Sequence, residues 1–276
     1  MNKKEFLSRI NYEDKILLSN IFEKIELSNK INKPIYLNEF YTPNVWNSLL
    51  SIEKELDIIV GTYGIFEDSD RRVLCFLPYG FQQDFNLYPL DLIKIKNKSS
   101  FSYLSHSDFL GTLMGQGIKR EKFGDLIVKD QICYVPICKD VLPYIKENLT
   151  KIGGSPCLIE SIDYTNEEIP SFNFEEKIII ASSLRIDCVV SAFTGKSRAS
   201  SAEMINRGAV LIDYERIDEK DIYVKLNSII TVRGYGKFKI QSIQGKTQRD
   251  REKILIKKYI WVWGDELDNY IDGHKQ

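Results

Sequence analysis

Ser182-Ser183-Leu184-Arg185-Ile186-Asp187-Cys188-Val189-Val190-Ser191-Ala192-Phe193-Thr194-Gly195, continued by Lys196-Ser197-Arg198-Ala199-Ser200-Ser201-Ala202-Glu203-Met204-Ile205-Asn206-Arg207-Gly208, decides how this 276-residue chain is read. Ile186, Val189, Val190 and Phe193 recur at helical spacing and form one apolar stripe, with Ser182-Ser183 ahead as a cap and Thr194-Gly195 as the stop. Ser197 caps a second helix, Arg198 to Asn206, in which Ala199, Ala202 and Ile205 face inward and Gly208 supplies a left-handed end. Arg185, Arg198 and Arg207 are left pointing outward. Short strands are expected next at Ala209 to Ile212, Asp221 to Val224, Ile229 to Val232 and Lys237 to Ile243, the last two joined by Arg233-Gly234-Tyr235-Gly236. Two short helices on a small sheet follow from this pattern.

Charge singles out the same region. The whole chain has a formal net charge of -1. Residues 184–258 nevertheless carry 16 Lys and Arg against 9 Asp and Glu, whereas residues 1–183 carry 21 against 26. A basic module thus sits inside an acidic protein, and cations gathered on one face attract phosphate without any catalytic constellation. Arg185, Arg198 and Arg207 from the helices, with Arg233, Lys237, Lys239, Lys246 and Arg249 from the sheet and its extension, are the candidates. Alternation in Lys237-Phe238-Lys239-Ile240 turns both lysines outward. Ser197 at the second helix start joins the candidate set. The backbone at Gly234 and Gly236 is free to turn closely against a phosphate or ribose, or simply to form a tight hairpin. Lys119, Arg120 and Lys122 form a charged loop that is a second candidate RNA surface or a solvated loop.

Working outward, residues 1–72 read as an N-terminal helical segment, with Phe6, Ile10, Ile16, Leu17, Ile21, Phe22 and Ile25 at helical spacing and Gly61-Thr62-Tyr63-Gly64 as a loop. Residues 73–163 read as strands and helices in the order β-β-α-β-β-α-β, a ferredoxin-like or RRM-like α+β middle domain whose first strand is Val73 to Leu77. Residues 164–177 are polar, contain Pro170 and read as a linker. The basic module spans 178–250, and 251–276 is a tail that reads three ways: its Trp261 and Trp263 cover a sheet edge, they meet another chain, or the stretch is an extension foreign to the fold. The fold class is α+β throughout.

Several function classes drop out. No apolar run approaches the roughly 20 residues of a membrane span, and the start offers no signal-peptide stretch, so a cytoplasmic protein with no membrane partner is expected. Cys75, Cys133, Cys138, Cys157 and Cys188 are widely spaced, which suits buried thiols better than disulfides or a zinc set. No metal or cofactor is expected. Only His106 and His274 could serve as histidine bases, and no glycine-rich nucleotide loop precedes a helix, so no enzyme is expected.

The basic module resembles the S4-type RNA-binding domain. Arg185-Ile186-Asp187 is similar to that family's Arg-Leu-Asp opening, Ser197-Arg198 to its Ser-Arg, and Gly208-Ala209-Val210 to its Gly-x-Val; Asp213-Tyr214 and Leu226-Asn227 depart from its turns. Over residues 1 to 258 the chain resembles the bacterial YlmH family. That likeness rests on Ser107-Asp108-Phe109-Leu110-Gly111, Gly117-Ile118-Lys119-Arg120-Glu121-Lys122-Phe123-Gly124-Asp125, Arg233-Gly234-Tyr235-Gly236-Lys237-Phe238 and Ile243-Gln244-Gly245-Lys246-Thr247. The resemblance implies an RNA-binding-like middle domain, a C-terminal S4 domain and association with the large ribosomal subunit; a monomer that docks on structured rRNA of that subunit, alone or together with tRNA, is expected. It also implies a role in rescuing stalled translation and a historical cell-division label. The competing readings are an S4-fused RNA-modifying enzyme and a cell-division adaptor.

Overall fold

The computed structural model describes residues 1–10, 12 and 14–260, and divides the chain into two units, Met1–Ser171 and Phe172–Gln276. Trp261, Trp263 and the rest of 261–276 lie outside the described residues.

The first unit opens with helices α1 (Lys3–Arg9) and α2 (Lys15–Ile31). Asn2 and Asp14 cap them by accepting from the Glu5 and Leu17 amides. Strand β1 (Ile35–Tyr41), helices α3 (Pro43–Ser51) and α4 (Glu53–Leu56), and strands β2 (Ile59–Tyr63) and β3 (Arg72–Leu77) follow, and the strands form an antiparallel sheet in the order β1-β3-β2. Residues 1–72, expected to be helical, therefore also supply two strands. The strand expected to open the middle domain is instead the centre of this sheet. Val73 to Leu77 are all buried because both faces of β3 are covered, and such a strand reads as an uninterrupted apolar run that carries no clue to its partners. Gly61, expected in a loop, lies in β2 against the Cys75 thiol, where there is no room for a side chain.

A second antiparallel sheet takes β4 (Leu90–Asn97), β5 (Ile127–Lys129), β6 (Ile132–Cys138), β7 (Lys151–Ile152) and β8 (Ser155–Ile162) in the order β5-β6-β4-β8-β7. Helix α5 (His106–Met114) crosses from β4 to β5, and α6 (Leu142–Asn148) from β6 to β7. The crossovers β4–α5–β5 and β6–α6–β8 each leave space for one antiparallel strand, so these two β-α-β motifs interleave as in a ferredoxin-like sandwich, with β-α-β-β-α-β as the working order and β7 added at the edge. Ile93, Ile95, Cys133 and Val135 share one face and are fully buried, as are Phe109, Leu113 and Ile145 of the helices.

One joint links the two sheets. A side chain at Gly124 would meet the Phe40 ring and Pro136 at 3.0 Å, and the buried Asp125 carboxylate accepts the backbone amides of Asp70 and Arg71 at 2.7 and 2.8 Å. Arg120 donates to the carbonyls of Phe123 and Gly124, and Lys122 to the Asn38 carbonyl and the Asp140 carboxylate.

The second unit runs β9 (Phe174–Ala181), α7 (Ile186–Thr194), α8 (Arg198–Asn206), β10 (Val210–Ile212), β11 (Glu215–Arg216), β12 (Ile229–Val232), β13 (Gly236–Lys246) and β14 (Glu252–Tyr259). Its antiparallel sheet has the order β11-β10-β12-β13-β14-β9. Ile186, Val189 and Val190 of α7 and Ile205 of α8 bury against Val210, Ile230, Phe238, Ile240, Ile254 and Ile256 of the sheet. Each such side chain contributes roughly 1.5–3 kcal/mol by leaving water. Two boundaries differ from expectation: β9 begins inside the stretch read as a linker, and β14, read as tail, is an interior strand paired with both β13 and β9. Asp221 to Val224 forms no strand but pins the start of α7, with the Ile186 amide on the Ile222 carbonyl and the Val224 amide on the Leu184 carbonyl.

Candidate nucleic-acid interface

The helix pair carries the most organised cations. Arg185 occupies the N-cap position of α7, and Ser197 caps α8 by accepting the Ser200 amide at 3.1 Å. Between them lies Asp187, 3% exposed. Arg185 reaches its carboxylate through Nε at 3.2 Å and Nη2 at 3.4 Å, and Arg198 through Nη2 at 2.7 Å and Nε at 3.3 Å. Burial pushes the Asp187 carboxyl up, but the hydrogen bonds from Arg198, Arg185 and Cys188 outweigh it and hold the group below the usual carboxylate range. Two guanidiniums thus share one carboxylate, leaving a surplus positive charge, and the Arg198 side chain stays 54% exposed. The clamp holds each guanidinium by its Nε–Nη2 edge and leaves the pair with one net positive charge, so both side chains are fixed in place while still attracting a phosphate.

Lys196, exposed in the turn between the helices, adds a cation that the sequence reading did not select. Its signal was its place between two caps. Arg207 is exposed and meets Glu203 loosely at 3.5 Å. The turn at Arg233, Gly234 and Gly236 lies beside the end of α7, since a side chain on Gly236 would stand 3.9 Å from the Phe193 ring.

Other candidates are placed elsewhere. Lys237, expected outward, is 6% exposed: its Nζ donates to the Tyr214 hydroxyl at 2.7 Å and sits 4.1 Å from the Tyr259 ring centre. Alternation gave the correct face but could not show that aromatic rings cover it. Lys239 shares that face, opposite the helices, as its pairing with Ile229 and Lys257 requires. Lys246 lies ten residues along β13 from Gly236, about 33 Å, and bonds Asp250 and Glu252. The candidate set is therefore divided between faces and ends of the sheet. Of the second candidate loop, Arg120 and Lys122 are engaged in the joint already described, and Lys119 remains exposed.

Among the described residues no helix is long and apolar enough to cross a membrane, and no cluster of metal-ligating side chains occurs.

Comparison with known proteins gives three likenesses. Residues 82–166 match the family model described as "Putative RNA-binding domain in YlmH". The chain is 24% identical over 222 residues to the "Ribosome-associated protein quality control protein P2" of Bacillus subtilis (strain 168), covering 80% of this chain and 86% of that protein. The solved structure titled "Cell division protein ylmH from Streptococcus pneumoniae" aligns with 27% identity and a TM-score of 0.47, covering 57% of this chain and 95% of that one.

Proposed function

We propose that the chain is a YlmH-like RNA-binding protein and that its C-terminal unit is an S4-type module that docks on structured RNA of the ribosome. The Asp187 clamp is the observation that carries this reading: it presents Arg185 and Arg198 as a fixed, net-positive pair beside exposed Lys196 and Arg207. Fixed guanidiniums at helix ends suit the shape of a folded RNA junction more than a base sequence. The Bacillus subtilis relative is named as ribosome-associated and as a quality-control protein, and we carry those two words over; our further reading, which rests on the family resemblance and not on that name, is that the partner is rRNA of the large subunit, with tRNA as a second contact, and the setting is rescue of stalled ribosomes in the cytoplasm. The protein acts by binding, as a monomer and without catalysis.

Sedimentation with separated ribosomal subunits tests this. The full chain is expected to travel with the large subunit. A Lys196→Glu, Arg207→Glu variant, which leaves the clamp intact, should weaken binding and flatten its salt dependence by roughly 0.9 log-log slope units per lost phosphate contact. Co-sedimentation with neither subunit, or an unchanged slope in the variant, would overturn the reading.

A further inference from the structure

The segment that pins the start of α7 also holds an aromatic ring in water. Ile222 packs against the core of the second unit and Val224 is buried in it, so the residue between them turns the other way, and Tyr223 is 65% exposed. Arg185 and Tyr223 form an isolated antiparallel bridge, closed by the Ile186 amide on the Ile222 carbonyl at 2.8 Å and the Val224 amide on the Leu184 carbonyl at 2.9 Å. Hydrogen bonds that flank a pair in this way make it a non-hydrogen-bonded pair, whose two side chains leave the backbone on the same side with Cβ atoms about 4.5–5.5 Å apart. The Tyr223 ring therefore starts beside Arg185, the first of the two clamped guanidiniums.

An exposed ring alone means little, since single apolar side chains are scattered over most surfaces. The place of this one decides its reading. Tyr223, Arg185, Asp187 and Arg198 form a row: a ring, a guanidinium, the shared carboxylate and the second guanidinium. Among the described residues no hydrogen bond or ring contact engages the Tyr223 side chain. Its backbone is nevertheless fixed, by the bridge and by the Asp187 amide on the Lys220 carbonyl at 3.4 Å. Asp221 and Lys225, both exposed, flank the ring two residues to either side and offset each other, so the net charge of the row stays positive.

We propose that Tyr223 is the base-stacking residue of the C-terminal RNA site, which therefore selects structured RNA that carries an unpaired nucleotide: the clamped guanidiniums attract its phosphates and the ring takes its base. A fully paired helix hides the faces of its bases and offers Tyr223 nothing to stack on, whereas a bulged base presents one. An acidic peptide would satisfy the arginines, but it does not couple a planar group to each charge as a nucleotide does. Every base has a face to stack, so the preference is for the unpaired state and not for a sequence. The proposal rests on the reading that the C-terminal unit binds structured RNA, and adds to it the residue and the RNA feature that residue recognises.

The test uses the full chain and fluorescence anisotropy with two labelled probes, an RNA duplex interrupted by one unpaired adenosine and the same duplex fully paired. Circular dichroism against urea confirms that each variant is folded. The parent should bind the bulged duplex about fivefold or more tightly than the paired one. Tyr223→Ala should bring the bulged duplex down to the affinity of the paired one, leaving the paired duplex and both salt slopes unchanged because no phosphate contact is lost. Tyr223→Phe keeps the ring and should bind both probes like the parent. The Lys196→Glu, Arg207→Glu variant should instead weaken both probes and flatten both slopes. If that variant loses both probes while the parent does not distinguish them, or while Tyr223→Ala binds the bulged duplex like the parent, the stacking role is refuted and the C-terminal reading stands. Equal loss of both probes in Tyr223→Ala would make the residue a support for the clamp and overturn the proposal. If the parent binds neither probe, both readings fail.

Discussion

Asp187 and Lys237 show what a single buried ion does in this protein. Asp187 lies inside the second unit with hydrogen bonds from two arginines, so Asp187→Asn removes charge-assisted bonds worth about 2 kcal/mol in all once the half-exposed Arg198 is discounted for solvent. Its carboxyl is depressed in the folded state, so that contribution is present above the unfolded value of about 3.9 and fades as pH falls through the lower folded value. Urea unfolding should therefore separate parent and variant at pH 7, and the gap should close toward pH 3; a constant gap would show that the charge is not its source. Lys237 was legible as a lysine on a strand face, but the rings that cover it come from Tyr214 and Tyr259, 23 and 22 residues away in sequence. No local pattern shows such a contact. Lys237→Met keeps the aliphatic stem and loses the cation between rings, so it should cost about 2 kcal/mol in urea unfolding and leave the salt slope of RNA binding unchanged.

Elements were legible where caps and periodicity agreed. Helix α8 occupies the range that Ser197 and Gly208 delimit, and Gly208 adopts the left-handed φ of 72° its place requires. Strand β12 likewise matches its apolar run. The failures are strands whose pairing is long-range. β9 reads Phe174-Glu175-Glu176-Lys177 at an edge and looks like linker, yet it pairs residue by residue with β14, more than 70 residues later. The same pairing places β14 inside the sheet, so a chain ending at Asp250 would leave Phe238, Ile240, Ile179 and Ala181 without their neighbours. Such a truncation should abolish the cooperative unfolding of the second unit, while one ending at Ile260 should preserve it, as read by circular dichroism against urea. Equal transitions in the two truncations would mean that β14 is dispensable. The lysines of β4 belong at this scale too: Lys94, Lys96 and Lys98 alternate with Ile95 and Asn97 in plain view, but only the pairing with β6 and β8 shows that Lys129 and Lys151 join them on one face.

At the scale of the whole chain, a net charge of -1 conceals two cationic surfaces, because carboxylates and lysines are sorted by face as well as by segment. A sum by residue number finds the first kind of sorting and misses the second. The division into Met1–Ser171 and Phe172–Gln276 gives each unit a core of its own. Between β8 and β9, Tyr164 lies beside Tyr63 and Phe172 packs on Tyr259, but residues 165–171 are polar apart from Ile169 and Pro170, and the bonds that order their start are local: Asp163 accepts from the Thr165 amide and hydroxyl and from the Asn166 side chain. Those bonds are exposed and within three residues of one another, so opening them disturbs neither core, and cleavage should begin where local opening is least costly. Brief digestion with a broad-specificity protease is expected to cut first between residues 165 and 171, giving two fragments that resist further digestion, identified by intact mass. The competing exposed segment, 98–104, is pinned to Gln131 and Ser155, which makes its opening the costlier. A first cut there would show that its anchors are weaker than their distances imply.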